Sequence, residues 1–415
     1  MSAIAPAATV APAPRPFREV WLISAGHGLT HWYPATFYLL LPLIGPELGL
    51  SYSQIGLLMT AQGLVGALTN MPGGLIVDTV GRKNLMLALS LCTIALPYAL
   101  MGLTSSYALL LLCVSLVGMG NNLWHPAAIP MLANRYPARK GLVLSLHSMG
   151  GNAGDALAPL AVGVLLATLS WREVVALNIV PGVLIACLLL TMLGNAGGGA
   201  APGSRPGATA GNAEGQNLAE YLRGMRELVH SPGLAMLLLG ATFRAMTQAA
   251  LLVFLPLFLA YEMGYEPFRV GVWLFALQAA GFVAAPLAGH LSDKTGPRGV
   301  ILWSMVATAA VLIVMVVAGP SPTFVFFIAV LGFFLYAVRS VLQAWLLDLT
   351  PGKMGGTSIG ILFGAQSLGA ALSPAIGGWL ADRYGLMATF MFLAATIVIA
   401  NFFVFFVPSP RAAAR

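Results

Sequence analysis

Apolar stretches of about 20 residues recur along this chain from one end to the other, separated by short polar turns, and nothing constrains its fold more. That length spans the hydrocarbon core of a bilayer as a helix. Inside lipid every backbone amide must find its partner within the chain, which a helix does by itself. Of the 415 residues, 59% are hydrophobic and 8% charged, too little polar surface to coat a water-soluble globule of this size. Twelve spans are predicted, at 20–44, 53–77, 85–104, 107–133, 141–168, 173–194, 233–261, 268–290, 299–318, 322–349, 356–380 and 387–408. The expected fold class is an all-α membrane protein.

A net charge of +7 would suggest nucleic acid in a soluble protein; beside membrane spans it reports orientation instead. With the N-terminus cytoplasmic, Arg15, Arg18, Arg82, Lys83, Arg135, Arg139, Lys140, Arg205, Arg223, Arg226, Lys294, Arg298, Lys353, Arg411 and Arg415 fall on the cytoplasmic side. Arg172, Arg269 and Arg383 fall on the other, so both termini are expected inside. No nucleic-acid partner is expected. Cys92, Cys113 and Cys187 lie within spans and read as apolar filler, not as a disulfide framework. Met1–Pro16 is rich in Ala and Pro without the pattern of a cleaved signal peptide.

The expected organisation is a disordered tail over 1–19, a six-helix bundle over 20–194, a linker over 195–232, a second six-helix bundle over 233–408 and a tail over 409–415. The Gly, Ala, Ser and Pro of 195–216 have a flexible composition. Leu218, Tyr221, Leu222, Met225 and Leu228, with Arg223, Arg226 and Glu227 between them, predict a short amphipathic helix at the cytoplasmic face.

The halves repeat with a constant shift. Gly74, Asp78, Gly81 and Lys83 correspond to Gly289, Asp293, Gly296 and Arg298, while Gly154, Leu157 and Pro159 correspond to Gly369, Leu372 and Pro374. Gly141 matches Gly356 at the same offset of 215 residues. One offset aligning distant loops and helices implies internal duplication.

The loop Gly74-Leu-Ile-Val-Asp78-Thr-Val-Gly81-Arg82-Lys83 resembles the signature loop of the major facilitator superfamily, and Gly289-His-Leu-Ser-Asp293-Lys-Thr-Gly296-Pro-Arg298 is its degenerate copy. Within that superfamily, His125-Pro126 and Gly150-Gly151-Asn152-Ala-Gly154-Asp155-Ala-Leu-Ala-Pro159 are similar to segments of the fosmidomycin resistance efflux family. The resemblance implies two pseudo-symmetric six-helix bundles, a gating role for the loop residues Gly74, Asp78, Gly81, Arg82, Lys83, Asp293 and Arg298, and a monomer. The glycines and proline of the fifth span resemble those marking antiporters, which tilts the expectation towards export.

Asp155 is the only acid near the middle of a span. An unpaired carboxylate is costly there; it either carries a proton or makes a helix-to-helix hydrogen bond. His27, His31, His125 and His147 lie in first-half spans, and imidazole titrates near physiological pH, so these five residues are the candidates for proton coupling. His27 and His31, four apart on one helical face, have the spacing of metal ligands, yet without a carboxylate or cysteine nearby in sequence no metal site is assigned. Trp32, Tyr33, Phe37 and Tyr38 follow as an aromatic stretch; it reads as an interface belt, with Tyr33 kept as a pocket candidate.

The second half supplies the opposite charge. Arg244 and Arg339 sit within spans as buried cations, with Gln248, Gln278, Gln343 and Gln366 on neighbouring spans. Guanidinium matches carboxylate, phosphate or phosphonate oxygens bidentately, so Arg244, Arg339, Gln248 and Gln343, with Asn121, Asn152 and Tyr33, are the substrate-binding candidates; Arg339 pairing with Asp348 or Asp155, or snorkelling to an interface, is the structural alternative. The expected function is a secondary transporter exporting a small anionic compound by proton antiport, with the phosphonate antibiotic that names the efflux family as a fitting substrate. A proton symporter importing an organic anion needs the same parts. No nucleotide-binding loop, cofactor motif or catalytic constellation is present, so neither an enzyme nor an ATP-driven pump is expected. The expected site is the bacterial inner membrane, with protons, substrate and lipid as partners.

Overall fold

A computed structural model describes residues 17–193, 231–350 and 355–408, and among them the chain is helical throughout. The first half comprises α1 (Arg18–Glu47), α2 (Tyr52–Val80), α3 (Lys83–Met101), α4 (Tyr107–Arg135), α5 (Lys140–Leu165), α6 (Trp171–Leu177) and α7 (Ile179–Met192). The second comprises α8 (Pro232–Tyr261), α9 (Pro267–Thr295), α10 (Pro297–Ala318), α11 (Pro322–Leu349), α12 (Gly355–Tyr384) and α13 (Leu386–Phe405). The predicted linker, the amphipathic helix and both tails lie almost wholly outside the described residues.

The helices run past the apolar spans because polar residues cap them. Ser51 accepts from the Gln54 amide while Gln54 reaches back to the Ser51 amide, a capping box that starts α2. Pro267, Pro297 and Pro322 open α9, α10 and α11, where a missing amide hydrogen leaves no donor unpaired. The sixth span differs from expectation: it breaks at Asn178 into α6 and α7. There the Asn178 side chain accepts from Trp32 Nε1 at 2.7 Å and donates to the Val174 carbonyl at 2.8 Å, while its own carbonyl accepts the Tyr33 hydroxyl at 2.7 Å.

Among the described residues, nine helices or helix pairs are long and apolar enough to cross a membrane by length and composition. The three spans outside that count, α1, α2 and α5, are diluted by polar residues and glycine, and two of them carry the site described below. Leu68, Trp303, Val317 and Phe326 are exposed on the outer surface, where a bilayer covers them.

The duplication is visible in the backbone. Gly81 and Gly296 both take positive φ, at 66° and 92°, and so do Gly49 and Gly264, at 62° and 65°, a further pair 215 residues apart. Each ends a helix, a position glycine occupies without a Cβ penalty.

Among the described residues the two halves meet chiefly along α2 with α12 and along α5 with α9, with α1 against α8 beside them, and the close backbone contacts between them lie at one end. There a Cβ on Gly56 would lie 2.1 Å from the Pro374 carbonyl oxygen, one on Gly378 2.3 Å from that of Tyr52, and one on Gly271 2.2 Å from that of Pro159. Backbone rests directly on backbone. Asp382 at the end of α12 accepts from the amides of Tyr52 and Ser53, at 2.8 and 2.9 Å, capping α2 across the seam. The Tyr261 hydroxyl donates to the Pro42 carbonyl at 2.9 Å. At the other end a Cβ at Gly74, Gly141, Gly289, Gly360 or Gly364 would meet nothing within 4 Å. The halves are therefore closed at the Asp382 end and splayed at the Gly81 end.

Candidate functional site

Between the halves, α1, α4 and α5 bring the predicted titratable residues together. Glycine explains how: a Cβ on Gly150 would strike the Ser24 carbonyl oxygen at 2.2 Å and one on Gly154 that of Gly28 at 2.1 Å. Only glycine allows α1 and α5 this approach. Gly151, facing the cluster, leaves room for two imidazoles, since a Cβ there would lie 2.7 Å from His27 Cε1 and 3.0 Å from His31 Nε2.

His27 Nδ1 donates to the His147 carbonyl at 2.6 Å, and its ring stacks on that of His147 at 3.9 Å and 14°. His27 Nε2 lies 3.1 Å from His125 Nε2. His31 Nδ1 pairs with Asp155 Oδ2 at 2.9 Å, the two side chains being 27% and 32% exposed, so this pair opens to water while His27 is buried. All four predicted histidines and Asp155 thus form one cluster, and Asp155 reaches across from α5 to α1.

From the second half, Arg244 is buried at 3% exposure. Its Nη1 donates to Gln248 Oε1 at 3.0 Å and to the Leu335 carbonyl at 3.3 Å, and its Nε has no partner. Arg339, one turn along α11 from the Leu335 carbonyl, is exposed and close enough for its charge to act on His27, His125, Tyr336 and Arg244. Among the described residues the ion pairs are His31–Asp155, Arg135–Glu19 and Arg172–Glu47. Neither Arg244 nor Arg339 is neutralised by a carboxylate, so the pairing of Arg339 with Asp348 or Asp155 is not made. Gln343 is half-buried one turn beyond Arg339.

Other candidates fall elsewhere. Asn121 lies one turn before His125 and its carbonyl holds that ring, while its side-chain oxygen is buried without a partner. Asn152 is exposed and lines a cleft between α5 and α9 with Ser145, Ser148 and Phe282. Tyr33 is fully buried inside the first bundle, its hydroxyl spent on Asn178 and its carbonyl accepting the Tyr98 hydroxyl, so the structure does not bring it to the cluster. The aromatic stretch is not an interface belt: Tyr33 and Phe37 are core, and Trp32 turns inward to Asn178.

At the splayed end, Gly81 makes the predicted tight turn, Arg82 is exposed at the start of α3, and Asp293 is exposed. The side chain of Asp78 lies outside the described residues. Arg298 donates to the Phe405 carbonyl at 2.6 Å, within its own half.

Two residues escaped the sequence reading. Tyr336, three positions before Arg339 on the same helix face, has a buried hydroxyl without a partner and lies within reach of the charges of Asp155, Arg244 and Arg339; its spacing from Arg339 was the available signal. Asp382 carried none, because its role depends on a helix start 330 positions away.

Comparison with known proteins gives a consistent account. Residues 20–284 and 237–415 match the family described as Major Facilitator Superfamily. The chain is 24% identical over 408 residues to the fosmidomycin resistance protein of Escherichia coli strain K12, covering 98% of this chain and 96% of that protein. It is 26% identical over 363 residues to a probable sulfoacetate transporter, SauU, of Cupriavidus necator, covering 83% and 82%. A bacterial homologue of the human lysosomal transporter Spinster, solved in an inward-facing, unoccupied conformation, shares the fold with a TM-score of 0.76 at 20% identity, covering 95% of this chain and 98% of that one.

Proposed function

Because the chain belongs to the major facilitator superfamily, we propose that this membrane transporter exports a small anionic compound in exchange for protons, by alternating access between its two halves. One observation carries the reading: a carboxylate–imidazole pair stands in the first half, and the second half holds two guanidinium groups without carboxylate partners, with Arg339 near enough for its charge to act on His27 and His125. A buried cation left unpaired calls for an anion, and phosphonate, sulfonate or carboxylate oxygens match a guanidinium fork. The names of two relatives, a fosmidomycin resistance protein and a probable sulfoacetate transporter, agree with an anionic cargo.

In this reading the His31–Asp155 pair holds the proton, with His27, His125 and His147 around it. Arg339 meets the anion first, because it is open to the cavity, and Arg244 with Gln248 and Gln343 receives it more deeply. Asn121 and Asn152 add amide groups along α4 and α5. Bringing the anion in relieves the repulsion between Arg339 and the protonated cluster, so anion binding and protonation are linked through charge across one site, and exchange requires that the two occupy it in alternate facing states. The positive-inside pattern supports a cytoplasmic splayed end; the bacterial relatives support the inner membrane, and the working unit in this reading is a monomer. Rocking would then close that end, where Asp78, Arg82, Lys83, Asp293 and Arg298 stand at the repeated turns Gly81 and Gly296 and behind Gly74.

Proton flux in proteoliposomes under an imposed pH gradient tests this, with fosmidomycin and then sulfoacetate added, and Asp155→Asn and Arg244→Ala in parallel. Antiport requires that either anion moves protons in the opposite direction and that both substitutions abolish the coupled flux. Protons and anion moving together would replace export with import by symport, the same parts running the other way.

A further inference from the structure

The nitrogen lone pairs of the histidine cluster converge on one point. A carbonyl only accepts, so His27 Nδ1, 2.6 Å from the His147 carbonyl, carries its hydrogen and leaves Nε2 bare. His31 Nδ1 is likewise taken by the Asp155 carboxylate at 2.9 Å, leaving its Nε2 bare. The His125 ring is held by the carbonyl of Asn121, and its Nε2 stands 3.1 Å from that of His27. At that distance the pair is held either by a proton on one Nε2 donated to the other or by an ion between the two nitrogens. Two nitrogen ligands about 2.05 Å from a tetrahedral metal are separated by roughly 3.3 Å, so the His27–His125 edge has nearly the length a metal would set. One ring nitrogen from each of His27, His31 and His125 lies within 4.8 Å of the others.

We propose that His27, His31 and His125 form a binding site for a divalent transition metal of the zinc class, with its fourth coordination position open to the cavity. Three imidazoles on α1 and α4 are the donor set such ions select over magnesium or calcium. The open position is on the side where His31 is exposed, and a quarter-exposed side chain closes the remaining gap by turning its ring. The supports are in place too: Asp155 on His31, the His147 carbonyl on His27 and the Asn121 carbonyl on His125 orient the rings as outer-shell partners do. His147 stacks flat on His27, and Gly151 supplies the space.

The charged and titratable groups facing the site are Asp155 and His147 from α5, Arg339 from α11 and, near Asp155, Tyr38 and Tyr336. A metal beside Arg339 gives an anion two cationic contacts at once, one by coordination and one by a guanidinium fork. The site stands on geometry alone; its role as an anion receptor rests on the transport reading above. Metal and proton compete for the same lone pairs.

Protein purified on a non-histidine tag, stripped with chelator and placed in nanodiscs is titrated with Co²⁺, followed by visible absorption, and then with Zn²⁺. The expected result is one Co²⁺ per chain with the intense bands of tetrahedral coordination, displaced by Zn²⁺ and shifted by sulfoacetate. Asp155→Asn weakens binding about 10- to 100-fold, as loss of an outer-shell partner does, and His125→Ala weakens it more. His147→Phe, which keeps the stacked ring and the carbonyl, leaves it within a few-fold. Should His125→Ala not fold, His31→Gln takes its place, checked by its melting temperature without metal. No saturable binding, or binding indifferent to His27→Ala and His125→Ala, overturns the site and leaves a proton shared between His27 and His125. Anion flux measured on the same stripped samples separates the two readings: flux without metal binding sinks the site alone, and metal binding without flux sinks the transport reading alone.

Discussion

The two halves of this transporter share a scaffold and not a chemistry. The glycine turns Gly49 and Gly81 recur as Gly264 and Gly296, and α2 and α9 begin and end at equivalent positions. Yet the places occupied by His27, His31, His125 and Asp155 in the first half hold Thr242, Met246, Ser340 and Ala370 in the second. Those of Arg244 and Arg339 hold Leu29 and Trp124 in the first. Duplication preserved what the backbone needs, and the polar interior was written separately into each copy. In the proposed mechanism the proton-bearing groups stand on one half and the anion-bearing groups on the other, so the relative position of the halves would set how strongly the two charges feel one another.

The division of labour predicts opposite phenotypes. Arg244→Ala in the second half lowers anion affinity by about 100-fold or more, the loss of two charge-assisted contacts, while Asp155→Asn leaves anion binding within a few-fold and removes coupled proton movement. Direct anion titration against both variants measures this, and equal losses would break the division.

A smaller effect concerns the scaffold. Gly154 and Gly369 are repeat partners, but an added Cβ meets the Gly28 backbone at 2.1 Å in the first half, whereas in the second its nearest neighbour is the Thr242 side chain at 2.6 Å, with the Met246 side chain and the Thr242 carbonyl oxygen both at 3.1 Å. Gly154→Ala is expected to cost about 1–3 kcal/mol of stability as overpacking, and Gly369→Ala less, because side chains turn aside where backbone cannot. Thermal unfolding in detergent compares them; equal melting temperatures would mean that α1 and α5 can part without penalty.

The smallest expected effect lies at the seam. The start of α2 is capped from the other half by Asp382, whereas its counterpart α9 begins with Pro267 and makes no side-chain cap bond. Asp382→Ala removes about 0.5–2 kcal/mol of capping. Hydrogen exchange at Tyr52 and Ser53 should quicken roughly tenfold, the equivalent of about 1.4 kcal/mol, with the Phe268 amide unchanged. A protected Tyr52 in the variant would show that the seam holds without its cap.

Much of this was legible in the sequence because lipid leaves few options: apolar length gave the helices, and a fixed offset gave the duplication. The Gly150, Gly151 and Gly154 run was visible as a packing motif, but its purpose was not, since which carbonyl each glycine faces depends on a helix more than 120 positions earlier. The histidines could be named but not assembled for the same reason. His27 and His31 lacked a carboxylate only along the chain; in space Asp155 supplies it. Tyr33 misled because aromatic residues near a span end look alike whether they face headgroups or a neighbouring helix break such as Asn178.

The glycine-on-backbone contacts at the closed end have a kinetic side. Where Gly56 lies on Pro374, Gly378 on Tyr52 and Gly271 on Pro159, no side chain of one half is lodged in a socket of the other at those points. Helices that interlock by knobs must climb out of their holes before they can turn; surfaces this smooth slide like the faces of a bearing. The friction against rocking then resides in a few polar contacts, the Asp382 cap and the Tyr261 hydroxyl among them, and turnover speed can be tuned at those positions without touching the site that binds the cargo.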